Sequence, residues 1–167
     1  WEGFFVNTAT LYLRQINSLR LRKGQLGKHY LVRDVEKKFK QINNNYPQKL
    51  EKRHDFISKF MQYSKTDAVD LSTEINTESN LGFNELNGIL KALNLNQVED
   101  HVNNDAYSLK SDLNSFLLDT RNGIAHGNPM RTINAQDITK AINLVERLME
   151  IVKIKFQKGL ENEVYLA

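Results

Sequence analysis

Arg121 and His126 stand five residues apart in the segment Arg121-Asn122-Gly123-Ile124-Ala125-His126-Gly127. They combine a permanent cation with an imidazole that gives or takes a proton near neutral pH. Phosphodiester chemistry uses such a pair: the guanidinium holds a phosphate and neutralises it, while the imidazole moves a proton. Asn122 adds a second polar group beside the cation, and Ile124 and Ala125 keep the turn apolar on its other side. The same spacing also fits a plain helix ending, with an Arg favourable to the helix dipole, a capping His and a glycine after the cap. Spacing alone leaves both readings open.

Five residues of an ideal helix turn through about 500°, so Arg121 and His126 point ~140° apart. One straight helix therefore does not focus both side chains on one atom. Either the helix unwinds, around Asn122-Gly123 or at Gly127, and His126 swings round. Or a second copy of the motif faces the first across a two-fold axis and the pairs combine. The second solution makes dimerisation part of the mechanism.

The elements that carry the motif repeat apolar residues at three- and four-residue intervals, a helical period. Trp1, Phe5, Thr8, Tyr12, Ile16 and Leu19 line a first helix that fades near Gly24 and Gly27. Tyr30, Leu31, Val35, Phe39 and Ile42 mark a second, closed by Asn43-Asn44-Asn45. Pro47 suits the first turn of a third, with Leu50, Phe56, Ile57, Phe60 and Met61 as its apolar side. Residues 64–82 are polar and poorly periodic and are expected to form a long loop. A short helix follows over about 84–93, and another begins near Asp105 and runs through Leu109, Leu113, Phe116 and Leu117 into Arg121. Gly127-Asn128-Pro129 breaks the chain. Asn134, with Asp137 three residues on, reads as the cap of a final helix ending near Gly159. The expectation is an all-α antiparallel bundle of four to five helices, formed as one domain over residues 1–167.

Composition sets the bounds. The chain lacks cysteine, which excludes disulfides and thiolate metal sites, and it fits an intracellular, cytoplasmic protein. No apolar run approaches the ~18 residues needed to span a bilayer, and no signal peptide opens the chain. Trp1 begins in the middle of an apolar pattern, so a preceding segment is expected to be missing. The net charge of +3 hides an asymmetry. Residues 28–65 carry ten basic and four acidic side chains, whereas residues 66–119 carry two and ten. Lys37, Lys38 and Lys40 in the basic block are candidate contacts to a polyanion such as RNA, although clustered charge also suits a solvated helix face. The acidic block could pair with the basic one.

Other candidates are thinner. His29, His54 and His101 lie far apart with no metal-ligand spacing and read as surface or capping residues, so neither metal nor cofactor is expected. Gly24-Gln25-Leu26-Gly27 lacks the Lys-Ser/Thr of a phosphate loop. Glu2 could partner the Arg–His site, but a solvent-facing or pairing role fits it better. Tyr12, Tyr30 and Tyr107 could stack on bases, yet their helical spacing assigns them to core or rim.

Arg121-Asn122-x-Ile124-Ala125-His126-Gly127, closing the penultimate major helix of an all-α bundle, resembles the Arg-x4-6-His signature of HEPN domains. The opening Trp1-Glu2-Gly3-Phe4-Phe5-Val6 and the stretch Ile75-Asn76-Thr77-Glu78-Ser79-Asn80-Leu81, with the short helix ending at Leu93-Asn94-Leu95, are similar to the MAE_28990/MAE_18760-like branch of HEPN nucleases. The resemblance spans most of the chain, and only the Arg–His segment is specific. It implies a metal-independent endoribonuclease acting as a homodimer with a composite site, as a toxin or antiviral effector with a cognate antitoxin, and with tRNA among its candidate substrates. Arg121 and His126 then take the catalytic positions, and Asn122 that of the polar residue after the Arg, orienting the phosphate or the imidazole. The expected products are a 2′,3′-cyclic phosphate and a 5′-hydroxyl. Some HEPN toxins carry a modifiable Tyr two residues after the His. Asn128 stands there in this chain and puts that mode of silencing in doubt. The alternatives are a catalytically silent HEPN module that binds RNA or protein, and a plain helical dimerisation domain.

Overall fold

A computed structural model describes residues 1–39, 49–78, 80–101, 108–127 and 133–167. The expected closures at Asn43-Asn44-Asn45, Pro47, Asp105 and Asn128-Pro129 lie outside them. The chain folds as an all-α bundle. In order it forms α1 (Glu2–Ser18), a 3-10 turn (Lys23–Gln25), α2 (Lys28–Lys38), α3 (Leu50–Lys65), α4 (Phe83–Ala92), α5 (Leu109–Ser111), a π-helical segment (Asp112–Leu118), α6 (Asp119–Ala125) and α7 (Ala135–Glu161). Two isolated bridges, Arg22 with Ala68 and Leu26 with Leu166, supply the extended pairing among the described residues.

The core is built on α1 against α7. Phe5, Ala9, Tyr12, Leu13 and Ile16 of α1 are buried, and so are Leu144, Leu148, Val152 and Phe156 of α7. The Phe156 ring lies 6.0 Å from Phe5 and 5.1 Å from Tyr12. Leu86 and Leu90 of α4 and Leu109 and Leu113 complete one cluster. Each fully buried side chain of this size contributes about 1.5–3 kcal/mol of apolar transfer, so this stack dominates stability. The C-terminal end folds back onto it: Gly27 N–H donates to Tyr165 O at 2.8 Å and Ala167 N–H to Gln25 O at 3.0 Å.

Helical period marks the elements correctly but mislocates some faces. On α2 the buried residues are Tyr30 and Asp34; Leu31 and Val35 are only half-buried. Asp34 goes inside because its carboxylate is fully partnered. Oδ1 accepts from Asp70 N–H at 2.8 Å and lies 3.0 Å from Lys38 Nζ, and Oδ2 accepts from the Tyr63 hydroxyl at 2.6 Å. α3 has no buried residue. Its expected apolar side is exposed: Leu50, Ile57, Phe60 and Met61 are 42–65% accessible. The helix attaches through Phe56, Phe60 and Tyr63, whose rings surround Phe39 at 5.3–5.8 Å. On α7, Ile138 and Ile142 are likewise more than half exposed. The Asn134 cap forms as expected, its Oδ1 accepting from Asp137 N–H at 3.0 Å and the Asp137 carboxylate accepting from Asn134 N–H.

Tyr12 and Tyr30 do not stack on a ligand; they are core. Their hydroxyls lie 2.7 Å apart, and the Tyr30 hydroxyl donates to Leu93 O, joining α1, α2 and the end of α4. Burial pushes the Tyr12 phenol up to about 12 and raises Tyr30 and Tyr63 as well. In the unfolded chain these phenols ionise near 10. Above that pH the unfolded state loses protons that the folded state keeps. The contribution of the buried Tyr12 and Tyr30 phenols to stability is therefore complete below pH 10 and falls as pH rises toward 12, by up to about 1.4 kcal/mol per pH unit for each of the two. Urea denaturation on either side of pH 10 checks this slope. Tyr30→Phe leaves Leu93 O and the Tyr12 hydroxyl without their partner, and is expected to lower the urea-derived stability by about 1–3 kcal/mol while flattening the alkaline slope.

Candidate functional site

Arg121 sits on the last turns of a helix that changes its winding. α5 passes into i→i+5 hydrogen bonding over Asp112–Leu118 and returns to α-helix at Asp119. The widened turns let three successive residues, Phe116, Leu117 and Leu118, pack against the core. One extra residue per turn rotates everything downstream by about one residue's angle, ~100°. That rotation sets the direction of Arg121. Apolar periodicity did not foresee it, because a π-turn has no composition of its own.

The guanidinium meets the loop before α4. Arg121 Nη1 donates to Asn80 Oδ1 at 2.9 Å and to Asn122 Oδ1 at 3.0 Å. Asn122 thus orients the cation, and its amide oxygen is committed to Arg121. Asn80 is a site residue that motif reasoning missed. Its signals in the sequence are its place in the polar stretch before α4, where loop residues often carry function, and in the stretch that resembles the HEPN branch.

Asn80 is held from several sides. Its N–H donates to Thr77 O at 3.1 Å, and its own carbonyl accepts from Gly82 N–H at 2.9 Å. Thr77 donates its hydroxyl to the Glu2 carboxylate, and Trp1 Nε1–H donates to Leu81 O at 3.3 Å. Glu2 therefore braces the loop that reaches Arg121. Asn114 of the π segment accepts from Phe83 N–H at 3.0 Å, tying the same loop to the helix that carries Arg121.

His126 closes α6. The helix does not unwind at Asn122-Gly123; it continues to Ala125, and His126 is the cap residue. His126 N–H donates to Asn122 O at 3.0 Å and Gly127 N–H to Ile124 O at 2.9 Å. Gly127 then turns left-handed at φ +67. The break falls after His126, so it leaves the ~140° divergence from Arg121 in place. Both side chains are exposed, as is Ile124 between them.

The remaining candidates are dispersed. Lys37 lies 2.6 Å from Asp70, and Lys38 pairs with buried Asp34 and donates to Ala68 O, so both serve the packing of the loop after α3. Lys40 lies outside the described residues, as do Tyr107 and Asn128. Lys49, which caps α3, and Lys52, Lys59 and Lys65 within it are exposed and carry the basic block to the surface. His29, His54 and His101 are exposed on separate elements. A groove of about 760 Å³ between the π segment and the first half of α7 is lined by Asp112, Thr139, Lys140, Asn143 and Arg147, and Arg121 and His126 are not part of that lining. Its Lys140 is 2.7 Å from Asp112 and lies over the Phe116 ring, a packing role that makes this groove a poorer candidate than the α6 end. Among the described residues no three His, Asp or Glu side chains gather as a metal site, and no helix is long and apolar enough to cross a membrane.

The all-α bundle agrees with the family that the chain matches. The chain belongs to the HEPN family: the MAE_28990-like HEPN model matches residues 1–165. Membership indicates a nuclease or RNA-binding module. No curated protein and no solved structure matches the chain.

Gly127 is the position where the backbone alone decides the residue. Gly127→Ala is expected to lower stability by about 1 kcal/mol because a Cβ disfavours the left-handed region, and Gly127→Asn to recover part of the loss. Thermal midpoints of the two variants check the order.

Proposed function

We propose that the protein is a metal-independent HEPN endoribonuclease whose site is shared between two copies. The observation that supports this most directly is the fixed guanidinium of Arg121. Its Nη1 is aimed by two neutral amides, Asn80 of the loop before α4 and Asn122 of α6, at a helix end that also exposes the His126 imidazole. In this reading the RNA 2′-oxygen attacks the adjacent phosphorus and gives its proton to a base, and the 5′-oxygen leaves and takes one up. His126 moves one of these protons. Arg121 stabilises the charge that develops on the phosphate oxygens, and Asn122 orients the cation. The products are a 2′,3′-cyclic phosphate and a 5′-hydroxyl.

Helical continuity through Asn122-Gly123 favours the shared site. With the two side chains about 140° apart on one chain, the Arg of one copy and the His of another meet more readily than the two of one copy. Exposed Ile124, and exposed Ile138 and Ile142 at the start of α7, offer apolar surface for such a contact. The setting that suits this chemistry is a toxin or antiviral effector in the cytoplasm, restrained by an antitoxin, with tRNA as one candidate substrate. A second reading, a silent module that binds RNA without cutting it, draws support from the exposed lysines of α3.

Incubation of the purified protein with tRNA and with single-stranded RNA, chelator present, separates the two. Cleavage leaving cyclic phosphate ends is expected. Arg121→Ala and His126→Ala should each reduce it by about a hundredfold or more while sedimentation still shows the dimer. Equal cleavage by both variants would sink the nuclease reading, and salt-sensitive binding without products would establish the second.

A further inference from the structure

We infer that Asn80 is a positioning residue for Arg121, a charge-sparing clamp that aims the guanidinium at a phosphate; this rests on the nuclease reading above. A guanidinium carries five N–H donors in a rigid plane. Asn80 Oδ1 and Asn122 Oδ1, at 2.9 and 3.0 Å, take the two on Nη1. Nε and Nη2 then form the remaining side of the fork, the edge that matches two oxygens of a phosphate. Two anchors on one nitrogen fix both the place and the roll of that edge, which one anchor could not do.

The chemistry of the anchors matters as much as their position. A carboxylate at residue 80 would hold Arg121 more tightly, but it would also neutralise the charge that the phosphate needs. Amide oxygens orient without cancelling. Lys38 and Lys140 show the other arrangement, each meeting a carboxylate, Asp34 and Asp112, in a packing role, while Arg33 is held by the backbone carbonyls of Ser72 and Glu74.

Asn80 can act as a clamp because its backbone is placed independently of Arg121. Leu81 is fully buried, and its carbonyl accepts from Trp1. Thr77 is tied to Glu2. A Cβ on Gly82 would come within 2.6 Å of the Glu85 carboxylate and 3.1 Å of Asn114 Oδ1, so the chain passes close to the π segment there. Asn114 and Arg121 belong to one unbroken helical run, and the loop bound at Asn114 is thereby held in register with the guanidinium.

The test compares Asn80→Ala, Asn80→Gln and Asn80→Asp in cleavage of a fluorescein-labelled single-stranded RNA, with kcat and KM measured separately. Asn80→Ala is expected to lower kcat about ten- to a hundredfold with KM little changed and the thermal midpoint unmoved, since a misaimed fork loses transition-state contacts. Asn80→Asp should fall at least as far, and Asn80→Gln should recover part of the rate. In an Arg121→Lys background, Asn80→Ala should add no further loss, because it acts through the guanidinium. Wild-type kcat in Asn80→Ala beside an inactive Arg121→Ala would overturn the clamp and leave the nuclease standing. So would full additivity with Arg121→Lys, or full activity in Asn80→Asp. A wild-type protein that cuts no RNA overturns both.

Discussion

The backbone of residues 66–78 has one extended pairing among the described residues, Ala68 with Arg22, and its remaining polar groups still require partners. Side chains of α1 and α2 supply them. Asn17 pairs with Leu71 in both directions, donating from Nδ2 to Leu71 O at 3.1 Å and accepting from Leu71 N–H at 2.9 Å. Arg33 Nε donates to Ser72 O at 3.0 Å, and Nη2 donates to Glu74 O. Asp34 accepts from Asp70 N–H. Leu71 and Thr77 are then buried along the same stretch, and Leu81 just after it. The segment that connects α3 to α4 is therefore a structural layer, and the helices beside it must carry polar residues at defined positions to hold it.

The site inherits its order from that layer. The loop arrives at Asn80 already fixed on the α1 side by Glu2 and Trp1 and on the other by Asn114. The π segment turns Arg121 toward it. Two features of unrelated origin, a stitched loop and a widened helical turn, thus meet at one guanidinium. His126 answers to a different rule. It stands where α6 must stop, with Gly127 supplying the left-handed turn, so its exposure follows from helix termination.

α3 shows where the bundle is least committed. Its attachment depends on an aromatic cluster around Phe39 and on the Tyr63–Asp34 hydrogen bond, with no residue fully buried. Its lysines face outward for the same reason: the narrow packed strip leaves most of the helix circumference to solvent. Lys37 and Lys38, in the same basic block, have carboxylates within reach and become part of the packing. Charge density in the sequence did not distinguish these two fates, since the distinction depends on which carboxylates the fold brings near.

The order and type of the elements were legible because a 3.6-residue apolar period survives in α1, α4 and α7, and because caps such as Asn134 with Asp137 act within four residues. The Arg–His segment and the family were legible because they depend on local residue identity. Burial on α2 and α3 was not, since Asp34 enters the core only with partners from α3 and the loop, while Ile57 and Met61 stay exposed. The π-turn, and with it the meeting of Arg121 and Asn80, was also beyond the sequence. By itself the sequence determined a helical HEPN chain with a cation and an imidazole at one helix end. Tertiary structure alone decided what aims the cation, because a hydrogen bond between residues 41 positions apart exists only after the loop and the helix are packed together.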